Sequence, residues 1–423
     1  MTQDGEFYDR VGFEPYVKYV AVKNIGKERR VKPPESVLIE NAHRIIQDDE
    51  IDIVVELMGG TSDAHEYARR ALLAGKQVVT ANKSLLSSAA QSLYHAAGQS
   101  TRQRPGLFFE AAVGGGVPVI HAIMESLAGD TVEKITGIMN GTCNFILSRM
   151  EEGANADPVT YETALQEAQA NGFAESDPTL DVNGQDAAYK LAILATLAFR
   201  HQVSHEDSDT RGITRITAAD FMLLGQLGRT VRLIAESEAS QMSHRLSVGP
   251  TVVRKNSSFG QTRNEQNLIM VKSKHAGTLT FAGAGAGGAP TASAVISDIM
   301  RAVPAALGKA HAPLIPRGWR TPPKGARTYR LIPDMGLERK EKYYIRITAD
   351  TSTLLEAGLL VVSSQRIKAR FLEHQNEGPY TAALITEPTD RRTMLSLMNI
   401  TPRNVGQQKL CARISAIPIR DDL

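Results

Sequence analysis

Glu175-Ser-Asp177-Pro-Thr-Leu-Asp181-Val-Asn183-Gly-Gln-Asp186-Ala-Ala-Tyr-Lys190 runs without a break into Leu-Ala-Ile-Leu-Ala-Thr-Leu-Ala-Phe199. Four acids and a lysine therefore stand at the start of a greasy helix. Asp181 or Asn183 caps it, because a short side-chain oxygen accepts a hydrogen bond from the first N–H groups that lack an intrahelical partner. Asp186 and Lys190, four apart, share a face. An arbitrary pair at that spacing is a solvated surface pair. Here the nine residues after Lys190 are apolar except Thr196, and a helix apolar all round is a buried one. A carboxylate and an ammonium at the mouth of a buried helix are costly unless partnered, which points to a polar cleft.

The chain upstream reads as strands alternating with helices. Tyr16 to Val22 alternates like a strand, Val37 to Asp48 is a helical candidate, and Ile51 to Met58 is a buried strand. Ala64 to Ala74 forms an amphipathic helix stopped by Gly75, and Gln77 to Thr80 a further strand. Such alternation implies parallel βαβ units and a nucleotide-binding sheet, the larger fold class being α/β. Downstream, Tyr161 to Ala170 is an amphipathic helix ended by a left-handed cap at Asn171-Gly172, and Ala218 to Ala235 a helix. Strands follow near His244 to Val253, Asn267 to Val271 and Thr278 to Phe281.

Size and composition bound the answer. With 423 residues, 42% hydrophobic and 22% charged, the chain holds two or three ordinary globular domains. A net charge of +2 argues for no nucleic acid. Two cysteines, Cys143 and Cys411, make neither a disulfide framework nor a zinc site and suit a reducing cytoplasm. The polar, acidic opening Met-Thr-Gln-Asp-Gly-Glu is unlike a signal peptide, and no apolar run reaches the roughly 20 residues of a membrane helix.

The pattern Glu-x-Asp-Pro-Thr-x-Asp-x-x-Gly-x-Asp-Ala-Ala-x-Lys-Leu-Ala-Ile-Leu-Ala at 175–195 resembles the substrate and catalytic signature of the homoserine dehydrogenases. That resemblance implies reversible NAD- or NADP-dependent oxidation of L-homoserine to L-aspartate 4-semialdehyde in threonine, methionine and isoleucine biosynthesis, by a homodimer or higher oligomer. Hydride removal leaves an alcohol proton that needs a positioned base. Lys190 takes the acid–base role, with Asp186 orienting it and binding the substrate hydroxyl. The alternative is that the carboxylate four residues away keeps Lys190 charged and it only stabilises developing alkoxide. Glu175 receives the substrate ammonium. Other matching runs extend it. Ala81-Asn82-Lys83 follows a strand at its carboxyl end, and the family's lysine there lies at nicotinamide and substrate. Gly172 stands where the family brings backbone close to the cofactor. The run Gly283-Ala-Gly285-Ala-Gly287-Gly288-Ala-Pro-Thr291 opens a helix at which Gly287 and Thr291 face the nicotinamide. Phe109-Glu110-Ala-Ala-Val113-Gly-Gly115-Gly-Val117-Pro118 matches a turn whose main-chain oxygens at Glu110, Val113, Gly115 and Val117 bind sodium. A tight turn with no ion is the other reading. Asn140-Gly-Thr-Cys143-Asn144 reads as a turn where the chain enters the substrate domain, Cys143 being a packing residue.

One feature of the first domain departs from the family. Nothing before Tyr16 has the strand and Gly-x-Gly-x-x-Gly that open a dinucleotide domain, so the Rossmann-type sheet is expected to be incomplete. Cofactor binding is the expectation this strains. Lys23, Lys27, Arg29, Arg30 and Lys32 follow the first strand, where basic residues pair with the 2′-phosphate of NADP. A solvated basic loop is the alternative, and NADP is preferred over NAD.

The expected organisation is a truncated dinucleotide-binding domain at 1–135 completed by 284–303, a substrate and dimerisation domain at 136–283, and a Pro, Gly, Lys and Arg-rich linker at 304–340. A βαββαβ module of the ACT type at 341–423 ends the chain. In the last, Tyr343 to Thr348, Thr381 to Ile385 and Leu410 to Ile417 are strands and Leu354 to Val362 a helix candidate. Asp350-Thr-Ser-Thr-Leu replaces the module's Pro-Gly turn, so packing or dimerising stands beside amino-acid sensing. An active dehydrogenase and an impaired relative that binds an amino acid or a partner chain are the two functional readings. The absent glycine loop speaks for the second and the intact Lys83, Glu175, Asp186 and Lys190 for the first.

Overall fold

The computed structural model describes residues 6–423 apart from 30, 32, 102–104, 155–156, 241–242, 311–312, 314–315, 320–331, 335, 350–354, 357–358, 360–361, 363–366, 376–379 and 399–411. The chain divides into two compact units. One comprises Met1–Val132, Ala192–Ser204 and Ala284–Arg330, the other Glu133–Leu191, His205–Gly283 and Leu331–Leu423.

In the first unit Ile53–Glu56, Gln77–Thr80 and Leu107–Phe108 lie side by side in parallel, with helices Ser62–Leu73 and Lys83–Gln99 as the crossovers. Gln77–Thr80 is buried at every position, as a parallel strand covered on both faces should be. Ile53–Glu56 is buried only at Glu56. Helix Gly288–Ala306 returns to this sheet and packs Val295, Ile299 and Val303 against Val79 and Phe108.

Three expectations that bear on this unit need correction. The Tyr16 to Val22 strand is confined to Val20–Ala21, and where a helix was expected over 37–48 the chain forms strand Leu38–Ile39, parallel to Val20–Ala21 in a separate sheet. Pro34 holds the backbone extended, a single tight turn Glu35–Val37 follows, and Leu38 and Ile39 then pair with Val20 and Ala21. Only after Asn41, whose Oδ1 accepts from His43 N at 3.0 Å, does the short helix His43–Gln47 begin. Within 304–340, helix Gly288–Ala306 continues past Pro304, and Trp319 is buried with its ring stacked on Tyr94.

The second unit is built on one large mixed sheet, in the order 277–284, 266–273, 132–138, 229–239, 243–254, 412–419, 340–349, 380–386 and 369–375. The helix expected over 218–235 stops at Gly225. Gly228 then turns left-handed at φ +66°, and Thr230-Val-Arg-Leu-Ile234 continues as strand Arg229–Ala239, antiparallel to Ser243–Arg254. β-branched residues beyond a left-handed glycine outweigh the apolar spacing that suggested a longer helix.

The last four strands, taken in chain order, lie 4-1-3-2 and pair antiparallel. Helix Arg391–Met398 precedes the fourth, which is the sheet of a βαββαβ module. The helix expected over 354–362 and the turn at 350–354 fall largely outside the described residues. Along Lys340–Ala349 the side chains alternate. Tyr343, Ile345 and Ile347 enter the module's core with Leu384 and Leu397. From the opposite face the Tyr344 hydroxyl donates to Asp220 at 2.9 Å, and Arg346 pairs with the same buried carboxylate. Ile419 pairs in parallel with Val252, so the module's sheet continues the central one. Among the described residues no helix is long and apolar enough to cross a membrane.

Candidate active site

Helix Gln185–Phe199 begins at a turn that only glycine accommodates well. Gly184 has φ +87°, and a β-carbon there would meet the Thr210 methyl at 3.0 Å. Gly184 itself holds the cap position, its carbonyl accepting from Ala188 N at 3.0 Å. Of the two caps the sequence allowed, Asn183 stands one place earlier, its Oδ1 accepting from Gln185 N at 3.0 Å in a local turn. Asp181 sits one turn earlier in the short helix Thr179–Val182. Beyond the turn, Ala187, Ala188, Leu191, Ile193 and Leu194 are all buried, which places Asp186 and Lys190 in a largely desolvated setting.

The pair closes: Lys190 Nζ lies 2.8 Å from Asp186 Oδ2, the two side chains being 11% and 7% exposed. The same ammonium donates to the Met139 carbonyl at 2.9 Å. Asn140, 4% exposed, then ties the acids together, its Nδ2 donating to Asp181 Oδ1 at 2.7 Å and Asp186 Oδ2 at 2.9 Å. Its Oδ1 accepts from Cys143 N at 2.8 Å and caps helix Gly141–Gly153. The Asn140-Gly141 dipeptide therefore starts a helix rather than making a reverse turn, and Asn140 is a site residue that the sequence reading missed. Its signal was the cap pattern, an Asn directly before an amphipathic run. Cys143 is fully buried with its thiol on the Asp181 carbonyl at 3.1 Å. Burial pushes its titration well up, so it packs and does not attack.

Glu175 and Gly172 are exposed, on the loop that follows helix Tyr161–Ala170. Gly172 is left-handed at φ +75° and ends helix Tyr161–Ala170. The Glu175 carbonyl accepts from the Gln169 amide.

Lys83 belongs to the first unit and opens helix Lys83–Gln99, capped by Asn82 Oδ1 on Leu85 N at 3.0 Å. Beneath it, Glu56 is 4% exposed and accepts from Thr80 Oγ1 at 2.6 Å and Met58 N at 2.7 Å. Asn82 Nδ2 reaches the Gly60 carbonyl at 2.7 Å. This network stands at the carboxyl ends of two parallel strands, the edge at which such sheets bind ligands. Leu57 and Met58 beside it are 61% and 49% exposed.

The two later glycine runs interlock. Gly116 N donates to the Ala284 carbonyl at 3.1 Å, and a β-carbon on Gly115 would come within 2.7 Å of the Gly285 carbonyl. Gly287, at φ +112°, begins helix Gly288–Ala306 and its carbonyl accepts from Thr291 N at 3.1 Å. Glu110 is buried and accepts from Ile120 N and His121 N. Burial raises its titration against the opposing pull of His121. Asp298, fully buried, accepts from Glu110 N at 2.7 Å and lies 3.0 Å from His121 Nε2. For the four oxygens expected to hold sodium, Val117's already accepts from Val119 N at 2.8 Å. Val113, Gly115 and Val117 are all buried.

Of the basic run, Arg29 spends its guanidinium on the carbonyls of Asn24, Ile25 and Lys27. Lys23 and Lys27 are exposed. Arg30 and Lys32 lie outside the described residues.

Residues 118–300 match the family model described as homoserine dehydrogenase, and 6–104 the one described as homoserine dehydrogenase, NAD binding domain. The homoserine dehydrogenase of Corynebacterium glutamicum is 39% identical over 386 residues, 89% of this chain and 82% of that one. The chain belongs to the homoserine dehydrogenase family. The crystal structure of a homoserine dehydrogenase from Thiobacillus denitrificans aligns at TM-score 0.79 with 30% identity, covering 98% of this chain and 93% of that one. A hyperthermophilic archaeal homoserine dehydrogenase in complex with NADPH aligns at TM-score 0.51 and 30% identity, over 62% of this chain and 75% of that one. A nicotinamide cofactor and the oxidoreductase class follow from the family and its matched NAD-binding domain. The impaired-relative reading finds no support in these matches.

Proposed function

We propose that the chain interconverts L-homoserine and L-aspartate 4-semialdehyde, with Lys190 as acid–base and Asp186 as its orienting partner. The observation that carries this is the buried ammonium fixed between the Asp186 carboxylate and the Met139 carbonyl. An ammonium has three N–H donors, and these two contacts leave one for a substrate oxygen. In the reducing direction that third N–H gives its proton as the carbonyl oxygen gains charge, so no free alkoxide forms. In the oxidising direction Lys190 takes the hydroxyl proton back, with Asp186 stabilising the ammonium that results. Asn140 keeps both carboxylates in place through each proton transfer.

The nicotinamide, when bound, accepts or supplies the hydride. Glu56, Thr80 and Asn82 hold the strand ends rigid at that edge, and the exposed Leu57 and Met58 offer apolar surface for a planar ring. Lys83 sets the reacting end against it, and Gly172, Gly287 and Thr291 are the further cofactor contacts. Glu175, exposed on its loop, takes the substrate ammonium. NADP is preferred on the strength of Lys23 and Lys27. Glu110, Val113, Gly115 and Val117 hold a monovalent cation such as sodium through main-chain oxygens. The dinucleotide-binding domain at 1–135 with 284–303, the substrate domain at 136–283, the 304–340 connection and the module at 341–423 are the working divisions. A homodimer in the cytoplasm completes the proposal. The test is the initial rate of nicotinamide reduction by purified chain with L-homoserine, run with NADP and NAD and with sodium exchanged for lithium. Turnover with homoserine and none with serine or threonine is the expected result.

A further inference from the structure

Within the second unit, strand Ser243–Arg254 and the C-terminal module line a partly open pocket with an interior of ≈ 40 Å³, Glu236 and Glu341 being among its wall residues. Four of its wall residues are Arg211, Arg245, Arg391 and Arg420. The carboxylates in reach are already shared out. Glu236 takes Arg245 and Arg420 at 2.6 Å each and Lys134 at 2.9 Å. Glu341 takes Arg339 at 3.1 Å, and Asp209 pairs with Arg391. Among the described residues, Arg211 has only the same Asp209, at 3.6 Å, and its Nε is buried with no hydrogen-bond partner. The Arg211 side chain is 31% exposed, but an Nε–H buried with no acceptor is costly, and the guanidinium's planar fork is matched by an oxyanion.

We propose that this cavity is a binding site for a small oxyanion, a carboxylate or phosphate group, with Arg211 as its anchor. The volume sets the size. A water needs roughly 10–15 Å³ measured this way, so the interior takes a group of about three such units, the bulk of one carboxylate or phosphate head and far below a nucleotide. The location gives the site a consequence. Arg211 N donates to the Val248 carbonyl at 2.8 Å, and its own carbonyl lies 3.3 Å from where a Gly184 β-carbon would be. Next along the chain, Gly212 packs so closely on Val182 that a β-carbon would fall 2.3 Å from its carbonyl, and Ile213 N donates to that carbonyl at 2.9 Å. Arg211 is thus wedged against the turn from which the Asp186 helix starts.

The test is thermal unfolding of the full chain in sodium phosphate and in sodium acetate, at ionic strength matched with sodium chloride. The wild type is expected to gain a saturable rise in Tm with at least one of the two, the one that acts naming the head group. Arg211→Gln should need at least tenfold more anion, and Arg254→Gln, exposed at the strand's end, should respond as wild type. Gly249→Asp serves if Arg211→Gln does not fold. A β-carbon there would lie 3.8 Å from Arg211 Nε, so the new carboxylate occupies the site and the anion response disappears. No saturable rise in the wild type, or an equal rise in Arg211→Gln or Gly249→Asp, overturns the proposal.

Discussion

Replacing Asn140 with Asp tests the polar cluster with almost no change of shape. The new side chain keeps the oxygen that caps helix Gly141–Gly153. It replaces the Nδ2 donor, 2.7 Å from Asp181 and 2.9 Å from Asp186, with a second acceptor. Two charge-assisted hydrogen bonds of about 1.5–3 kcal/mol each are put at risk. A third carboxylate at that distance meets repulsion of several kcal/mol even at an effective dielectric near 20, so the folded protein holds the introduced carboxyl protonated. Its folded pKa is therefore raised above the unfolded value. The variant is closest to wild type at low pH and loses stability as pH rises, by up to about 1.4 kcal/mol per unit, until the folded carboxyl ionises. By about pH 8 the deficit should reach about 3–5 kcal/mol, the cost of a buried charge without a partner. Asn140→Ala should lose the cap and both bonds with no such slope. Urea unfolding of the three proteins from about pH 5 to pH 8 reads this directly. Parallel wild-type and Asn140→Asp curves would refute the reasoning.

Two further substitutions probe the scaffold around the same helix and sheet. Gly184→Ala puts a side chain at φ +87° and 3.0 Å from the Thr210 methyl, so unfolding free energy should fall by about 1–3 kcal/mol, measured as a lower urea midpoint with unchanged slope. Glu236 is a pH probe. Burial alone would raise its titration, but Arg420, Lys134 and Arg245 together pull it below the usual range. A depressed folded pKa means stability present above the ordinary glutamate range and lost as pH falls through the folded value. Tm of the wild type should therefore drop more steeply on acidification than that of Glu236→Gln, the gap between them narrowing toward low pH.

What could be read from the sequence was whatever repeats locally. Gln77–Thr80, Tyr161–Ala170 with its Asn171-Gly172 end, and Gln185–Phe199 carry periods and stops within a few residues of themselves. Asp186 and Lys190 could be paired because one helical turn joins them. Asn140 could not, since its partners come 41 and 46 residues later. The Met139 carbonyl has no side-chain signature at all. Asp298 reaches Glu110 across 188 residues of chain. The two-residue strands Val20–Ala21 and Leu38–Ile39 exist through each other, so neither segment alone shows the period that would reveal it. The stop at Gly225 was masked by an apolar run that serves a helix and then a strand in succession.

Lys190→Met tests the central claim most directly, because it keeps the apolar stem and deletes only the ammonium. With fold verified by an unchanged urea slope, kcat for homoserine oxidation should fall by about 10²–10⁴, while the nicotinamide's KM stays near the wild-type value. A kcat within about threefold of wild type would mean that no transition-state interaction was removed, and the proton would have to leave by another route.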